Sequence, residues 1–189
     1  MDYFEDKSFK NINFNQVNFQ KGEYEFCQFD QCNLESLNLN GCKFIDCKFS
    51  DSNLSLMDLT QASFQNVNFT NCKLLGLRFD SLNQFNLELD FQECILNHSS
   101  FFGCHIKGTN FSNCKLIDVD FENTNLTNSI FVGSDLNGAQ FINSNLEKAD
   151  LRECQNLFID PDLNKIKAAK FSLQSLPGLL EKHKIKVSF

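Results

Sequence analysis

The stretch "GCKFIDCKFSDSNLSLMDLTQASFQNVNF", Gly41 to Phe69, carries a bulky apolar residue at Phe44, Phe49, Leu54, Leu59, Phe64 and Phe69, one every fifth position. An α-helix keeps one face at a period of 3.6 and a strand at a period of 2, so neither holds a five-residue beat on one side. A solenoid that turns a fixed angle per repeat does. Working outward, the beat runs back through Phe29, Tyr24, Phe19 and Phe14 to Phe9, and forward to Leu74 and Phe79. It resumes at Phe91 and continues through Phe101, Phe111, Phe121, Phe131 and Phe141 to Leu151.

The composition fits a packed chain. Of 189 residues 42% are hydrophobic, with 22 Phe, no Trp, 8 Gly and 2 Pro, which is too aromatic for a disordered segment. No apolar run reaches the roughly 18 residues of a membrane span, and the opening Met-Asp-Tyr-Phe-Glu-Asp is not that of a signal peptide, so the reading places the protein in the cytoplasm, away from membranes. The nine cysteines are odd in number and form no Cys-x-x-Cys. Cys27, Cys32, Cys42, Cys47, Cys72, Cys94, Cys104 and Cys114 each stand two residues before a central apolar residue, and Cys154 keeps that frame, where Ala62, Ser99, Thr109, Val119 and Ala139 stand in other repeats. They read as small buried residues, with no metal site and no cofactor expected. His98, His105 and His183 are too scattered to change that.

With the central residue at position i, position i−2 is small, i−1 is often Asn or Asp, and i+1 and i+2 are polar. "Cys-Asn-Leu-Glu-Ser", "Ala-Ser-Phe-Gln-Asn" and "Ser-Asp-Leu-Asn-Gly" are examples. Over roughly 150 residues the chain resembles the pentapeptide-repeat family. That resemblance implies an all-β solenoid, a right-handed quadrilateral parallel β-helix with four repeats per coil. Residues 20 apart also tend to match, as in Phe9, Phe29, Phe49 and Phe69, or Leu96, Leu116 and Leu136. About seven coils at the strand spacing of about 4.8 Å predict a rod of roughly 34 Å.

Two segments depart from the beat. Residues 80–90 put 12 positions between Phe79 and Phe91 where 10 are required, which predicts a bulge between an N-terminal half (1–79) and a C-terminal half (91–157), with Phe85 as a candidate intermediate centre. Its acidic residues Asp80, Glu88, Asp90 and Glu93 are candidate partner contacts. From Phe158 the periodicity fades. Residues 158–189 read as a short extended segment at "Ala-Lys-Phe-Ser-Leu", a helix capped by Ser175 with Pro177 in its first turn, and a terminal strand "Ile-Lys-Val-Ser-Phe".

The formal charge is −7, with 21 acidic and 11 basic side chains in residues 1–157 against 3 and 6 in 158–189. An acidic rod does not bind nucleic acid by neutralising phosphates, but it suits a basic surface that holds DNA. "Ile-Asp-Pro-Asp-Leu-Asn-Lys-Ile", leading to "Gly-Leu-Leu-Glu-Lys-His-Lys-Ile-Lys-Val", resembles the Qnr-type and microcin-immunity branch. That resemblance implies a homodimer joined through the C-terminus, for which Leu176, Leu179, Leu180, Ile185, Val187 and Phe189 are candidates. It also implies a DNA-mimicking, non-enzymatic role, binding DNA gyrase and topoisomerase IV and protecting them from quinolones or peptide toxins. Some members carry long projecting loops, and this chain has only the two-residue slip. The alternative is a general scaffold or regulatory binding module with another partner. No Ser/His/Asp set or Gly-rich phosphate loop points to catalysis.

Overall fold

In most repeats the residue at i+2 turns the chain through the left-handed region. Asn11, Gln31, Asp51, Asn71, Glu93 and Asn113 all do so along one edge, with φ between 50° and 57°. Asn and Asp tolerate this conformation better than other non-glycine residues, which accounts for their abundance. At Gly133 and Gly138 a Cβ would also press on the side-chain oxygens of Asn113 and Asp118, one coil below, which would have to move aside. The Asn and Asp residues at i−1 fix the step between corners. Their side-chain oxygens accept the backbone N–H two residues on, as Asn33 does from Glu35 (3.1 Å) and Asp120 from Glu122 (2.8 Å).

Turning at every repeat stacks the coils as a parallel β-solenoid of about eight turns, seen in a computed structural model that describes residues 2–185. Its N-terminal coils form short strands on two faces: β1 (Asp2–Glu5) and β2 (Ser8–Lys10), β3 (Gly22–Glu25) and β4 (Gln28–Asp30), β5 (Lys43–Ile45) and β6 (Lys48–Ser50), β7 (Ser63–Gln65) and β8 (Val67–Thr70). Further on come β9 (Leu89–Gln92), β10 (Phe111–Ser112), β11 (Asp150–Leu151) and β12 (Lys170–Phe171). All pairings are parallel, in the orders β1-β3-β5-β7, β2-β4-β6-β8-β9-β10 and β11-β12. No described helix is long and apolar enough to cross a membrane.

Four columns of central residues fill the interior. Face 1 is headed by Phe9, face 2 by Phe14, face 3 by Phe19 and face 4 by Phe4. On face 1 the rings of Phe29, Phe49, Phe69, Phe91, Phe111 and Phe131 stack nearly parallel, with centroids 4.6 to 5.2 Å apart. Phe79, Phe101, Phe121 and Phe141 stack likewise on face 3 and meet the face 1 rings edge-on, as Phe91 meets Phe101 at 80°. Offset-stacked and edge-on geometries are the ones aromatic quadrupoles favour. The cysteines lie at i−2 as read from the sequence: all nine are free thiols and eight are buried. Cys47 and Cys94 donate to the carbonyls of Tyr24 (3.3 Å) and Phe69 (3.4 Å) on the coil below. Burial pushes the Cys47 and Cys104 thiols up to about 12.

The solenoid extends beyond Phe158, where the sequence beat fades, so the coils number about eight and not seven. Asn145 bridges to Lys165, and β11 pairs with β12 in the register Asp150↔Lys170. Pro161 and Asn164 hide this coil from a hydrophobicity pattern. Asn164 occupies an inward position by hydrogen bonding, donating to Phe141 O (2.7 Å) and accepting from Ser144 N (2.9 Å).

Replacing Phe91 with Ala should destabilise the protein by about 3–5 kcal/mol, by opening a cavity in a continuous stack, whereas Gln92→Ala should cost less than about 0.5 kcal/mol. Denaturant unfolding of the two variants checks the contrast. Titration with a thiol reagent at pH 8 should label at most Cys154 rapidly and all nine cysteines only after unfolding; rapid labelling of several native thiols would contradict the inward frame.

Candidate functional site

The interior is filled, so function has to reside on the outer faces and at the two places where the repeat is broken. At the first, the spacing between stacked residues changes from 20 to 22 and back: Phe49 pairs with Phe69, Phe69 with Phe91 and Phe91 with Phe111. The surplus lies between Asn83, still in frame through its bond to Ala62 O, and Leu89, opposite Val67. Phe85 is no intermediate centre. It is 71% exposed, and the inward place on face 4 is taken by Leu87, because Gln84 turns back to bond the carbonyls of Phe79 and Leu82. The bulge stands beside an unbroken six-stranded sheet.

The four candidate acidic contacts do not form one cluster. Glu88 and Asp90 share a shallow cleft of about 140 Å³ with Lys107 and Thr109. Asp90 is committed, since its Oδ1 accepts the Asn110 N–H (2.8 Å). Asp80 lies on face 3 in an ion pair with Arg78 (2.6 Å), and Glu93 is an exposed corner residue of face 1.

The second break is the C-terminal segment. α1 covers only Pro177–Leu180, followed by a 3₁₀ turn over Glu181–His183. Pro177 opens the helix as expected, but Ser175 does not cap it: Ser175 sits in the preceding 3₁₀ turn and its Oγ donates to Ser172 O (2.9 Å). Gly178 is what docks the helix. A Cβ there would strike Leu157 O, and the bare backbone lets Gly178 O accept the Ile159 N–H (3.3 Å). Lys182 completes the attachment, its Nζ clamped between the carboxylates of Asp160 and Asp162. That ammonium holds the Asp160 carboxyl below the usual carboxylate range.

Of the candidate dimer residues, Leu179 packs against the core, while Leu176, Leu180 and Ile185 are exposed. Val187 and Phe189, and most of the expected terminal strand, lie outside the described residues. The structure adds Phe158 and Leu173, both exposed, which the pattern does not single out because they follow the last regular repeat. Phe158, Pro177 and Ile185 line an open groove of about 880 Å³ between the last coils and α1. Among the described residues, no group of His, Cys, Asp and Glu is arranged to hold a metal ion.

A family model described as the pentapeptide repeat region matches residues 22–89 and 81–151. No curated protein matches the chain. Among solved structures, a trypsin-treated variant of QnrB1, described as a plasmid-mediated fluoroquinolone resistance protein, superposes with a TM-score of 0.60 at 19% identity, covering 100% of this chain and 92% of that one. HetL, described as involved in heterocyst differentiation regulation in the cyanobacterium Nostoc sp. strain PCC 7120, aligns at 12% identity with a TM-score of 0.42, covering 89% of this chain and 86% of that one.

Attachment of the tail should depend on pH with a definite sign. A carboxyl whose folded value is depressed stabilises the folded arrangement above its unfolded value, about 3.9, and loses that contribution as pH falls through the lower folded value. The protection factors of residues 178–183, corrected for the intrinsic pH dependence of amide exchange, should therefore be high at neutral pH and fall below about pH 4 in the native protein, whereas Lys182→Gln should lack that step.

Proposed function

The chain belongs to the pentapeptide-repeat family, and from that premise we propose that it acts by binding a protein partner and catalyses nothing. The finer proposal is that it is a cytoplasmic homodimer that mimics DNA toward type II topoisomerases, DNA gyrase or topoisomerase IV, and shields them from quinolones or peptide toxins. The observation that carries it is the acidic rod, 21 acidic against 11 basic side chains over residues 1–157, whose fold matches along its full length that of a fluoroquinolone resistance protein. A surface built to hold DNA is basic, and electrostatic complementarity would steer such a rod onto it.

The exposed Leu176, Leu180 and Ile185, beside the groove at Phe158, support pairing through the C-terminal end. A general scaffold with another partner is favoured by one feature: the bulge adds two residues only, so among the described residues no long loop reaches away from the rod.

Purified protein added to gyrase inhibited by a fluoroquinolone or a peptide toxin should restore DNA supercoiling, less so as salt is raised. No protection at a large molar excess would sink the topoisomerase reading. Light scattering should give twice the chain mass for the native protein and a single chain for Leu180→Lys/Ile185→Lys; a native monomer would end the dimer proposal.

A further inference from the structure

Face 3 carries, at position i+1 of successive coils, Asp80, Phe102, Glu122, Ile142 and Asp162, so acidic and apolar side chains alternate along the rod. The carboxylates at its two ends are engaged: Asp80 by Arg78, and Asp162 together with Asp160 by Lys182. The middle level differs. Asp120 and Glu122 flank the central Phe121 just as Asp160 and Asp162 flank Pro161 forty residues later, and among the described residues neither makes a salt bridge. Asp120 is held in place by accepting the Glu122 N–H (2.8 Å). On the coils either side, Phe102 and Ile142 are 48% and 36% exposed.

We propose that Asp120 and Glu122, with Phe102 and Ile142, form a docking site for an α-helix of a partner protein that presents a Lys or Arg with an apolar residue one turn before it and one turn after. This rests on the reading of the chain as a binding rod, not on which partner is bound. The chain itself offers a precedent: Lys182 inserts its ammonium between Asp160 and Asp162, which hold the same places in the repeat although the ladder there is displaced by one residue, Asn143 N–H bonding Leu163 O, and it does so from a helical segment that also carries Leu179 and Leu180.

Spacing selects the helix. Coils repeat at about 4.8 Å, and residues three or four apart on a helix rise about 4.5–6.0 Å, so apolar, basic and apolar side chains fall opposite Phe102, Glu122 and Ile142. Same-side residues of an extended strand lie about 6.6 Å apart and lose that register within two steps. Arg78, the cation on the same face two coils away, is ion-paired with Asp80 and reaches Asp120 only through a weaker, longer-range attraction. Apolar contact on both sides of the carboxylates would partly desolvate the ion pair, which strengthens it relative to an open surface pair.

The test uses the full chain and two labelled synthetic helices of roughly 17 residues in an Ala/Gln background, long enough to form several turns. The first carries a central lysine with a leucine one turn before it and another one turn after. Its isomer has the same composition, with the lysine moved two positions along and so onto the opposite side of the helix. The native protein should bind the first about tenfold more tightly than the isomer, and Asp120→Asn/Glu122→Gln should lose about tenfold. Glu147→Gln/Glu153→Gln removes the same charge elsewhere and should bind like the native protein. Phe102→Ser/Ile142→Thr should weaken binding with an unchanged melting temperature. Equal binding of the two peptides, or equal weakening by the charge-matched control, would overturn the proposal. A protein that protects gyrase yet fails to distinguish the peptides loses the helix site and keeps the topoisomerase reading; one that distinguishes them without protecting gyrase does the reverse.

Discussion

The structure depends on one constraint: every fifth residue points inward, and the residue twenty positions on has to present a similar side chain to the same place, one coil above. Phenylalanine meets that constraint by ring stacking at 4.6 to 5.2 Å, close to the spacing of the strands that carry it. Backbone hydrogen bonds and side-chain contacts therefore share one repeat distance, and neither is strained to suit the other. The left-handed corner residue keeps the columns in phase by turning the chain by a similar amount after most central side chains. Most of the Asn and Asp content serves these corners and the short steps between them.

This dependence explains what is legible in the sequence. Inward columns have a strict period, so counting alone places Phe91, Leu96 and Cys94. The corners are regular too, since Asn11, Asp51, Asn71 and Asn113 recur at i+2, but their polarity conceals the conformational role. The last coil escapes a hydrophobicity count because Asn164 is buried by virtue of two hydrogen bonds. Phe85 misleads for the opposite reason. Its residue type suits the core, yet two extra residues carry it outward and leave Leu87 inside. Ser175 has the right residue type for a helix cap, but the docking of Gly178 against Leu157 fixes where the helix begins.

Acidic residues are harder to rank because a sequence shows their number and not their engagement. Asp80, Asp150 and Asp160 already hold a cation, so a raw count of carboxylates overstates what the rod offers a partner. The level of Asp120 and Glu122 stands out only once these internal partners are assigned. A folded segment of the same chain supplies the comparison, through the lysine that closes the tail onto the rod.

The bulge at Asn83–Glu88 has a consequence for how such a rod tolerates change. Two residues are added, and by the next coil the register is restored, with the ring stack from Phe69 to Phe91 intact at 5.1 Å. An insertion is thus absorbed by one face and leaves no phase error behind it. The outer faces are insulated from the reading frame of the core, so loops could lengthen on one face without disturbing the spacing that the other three present.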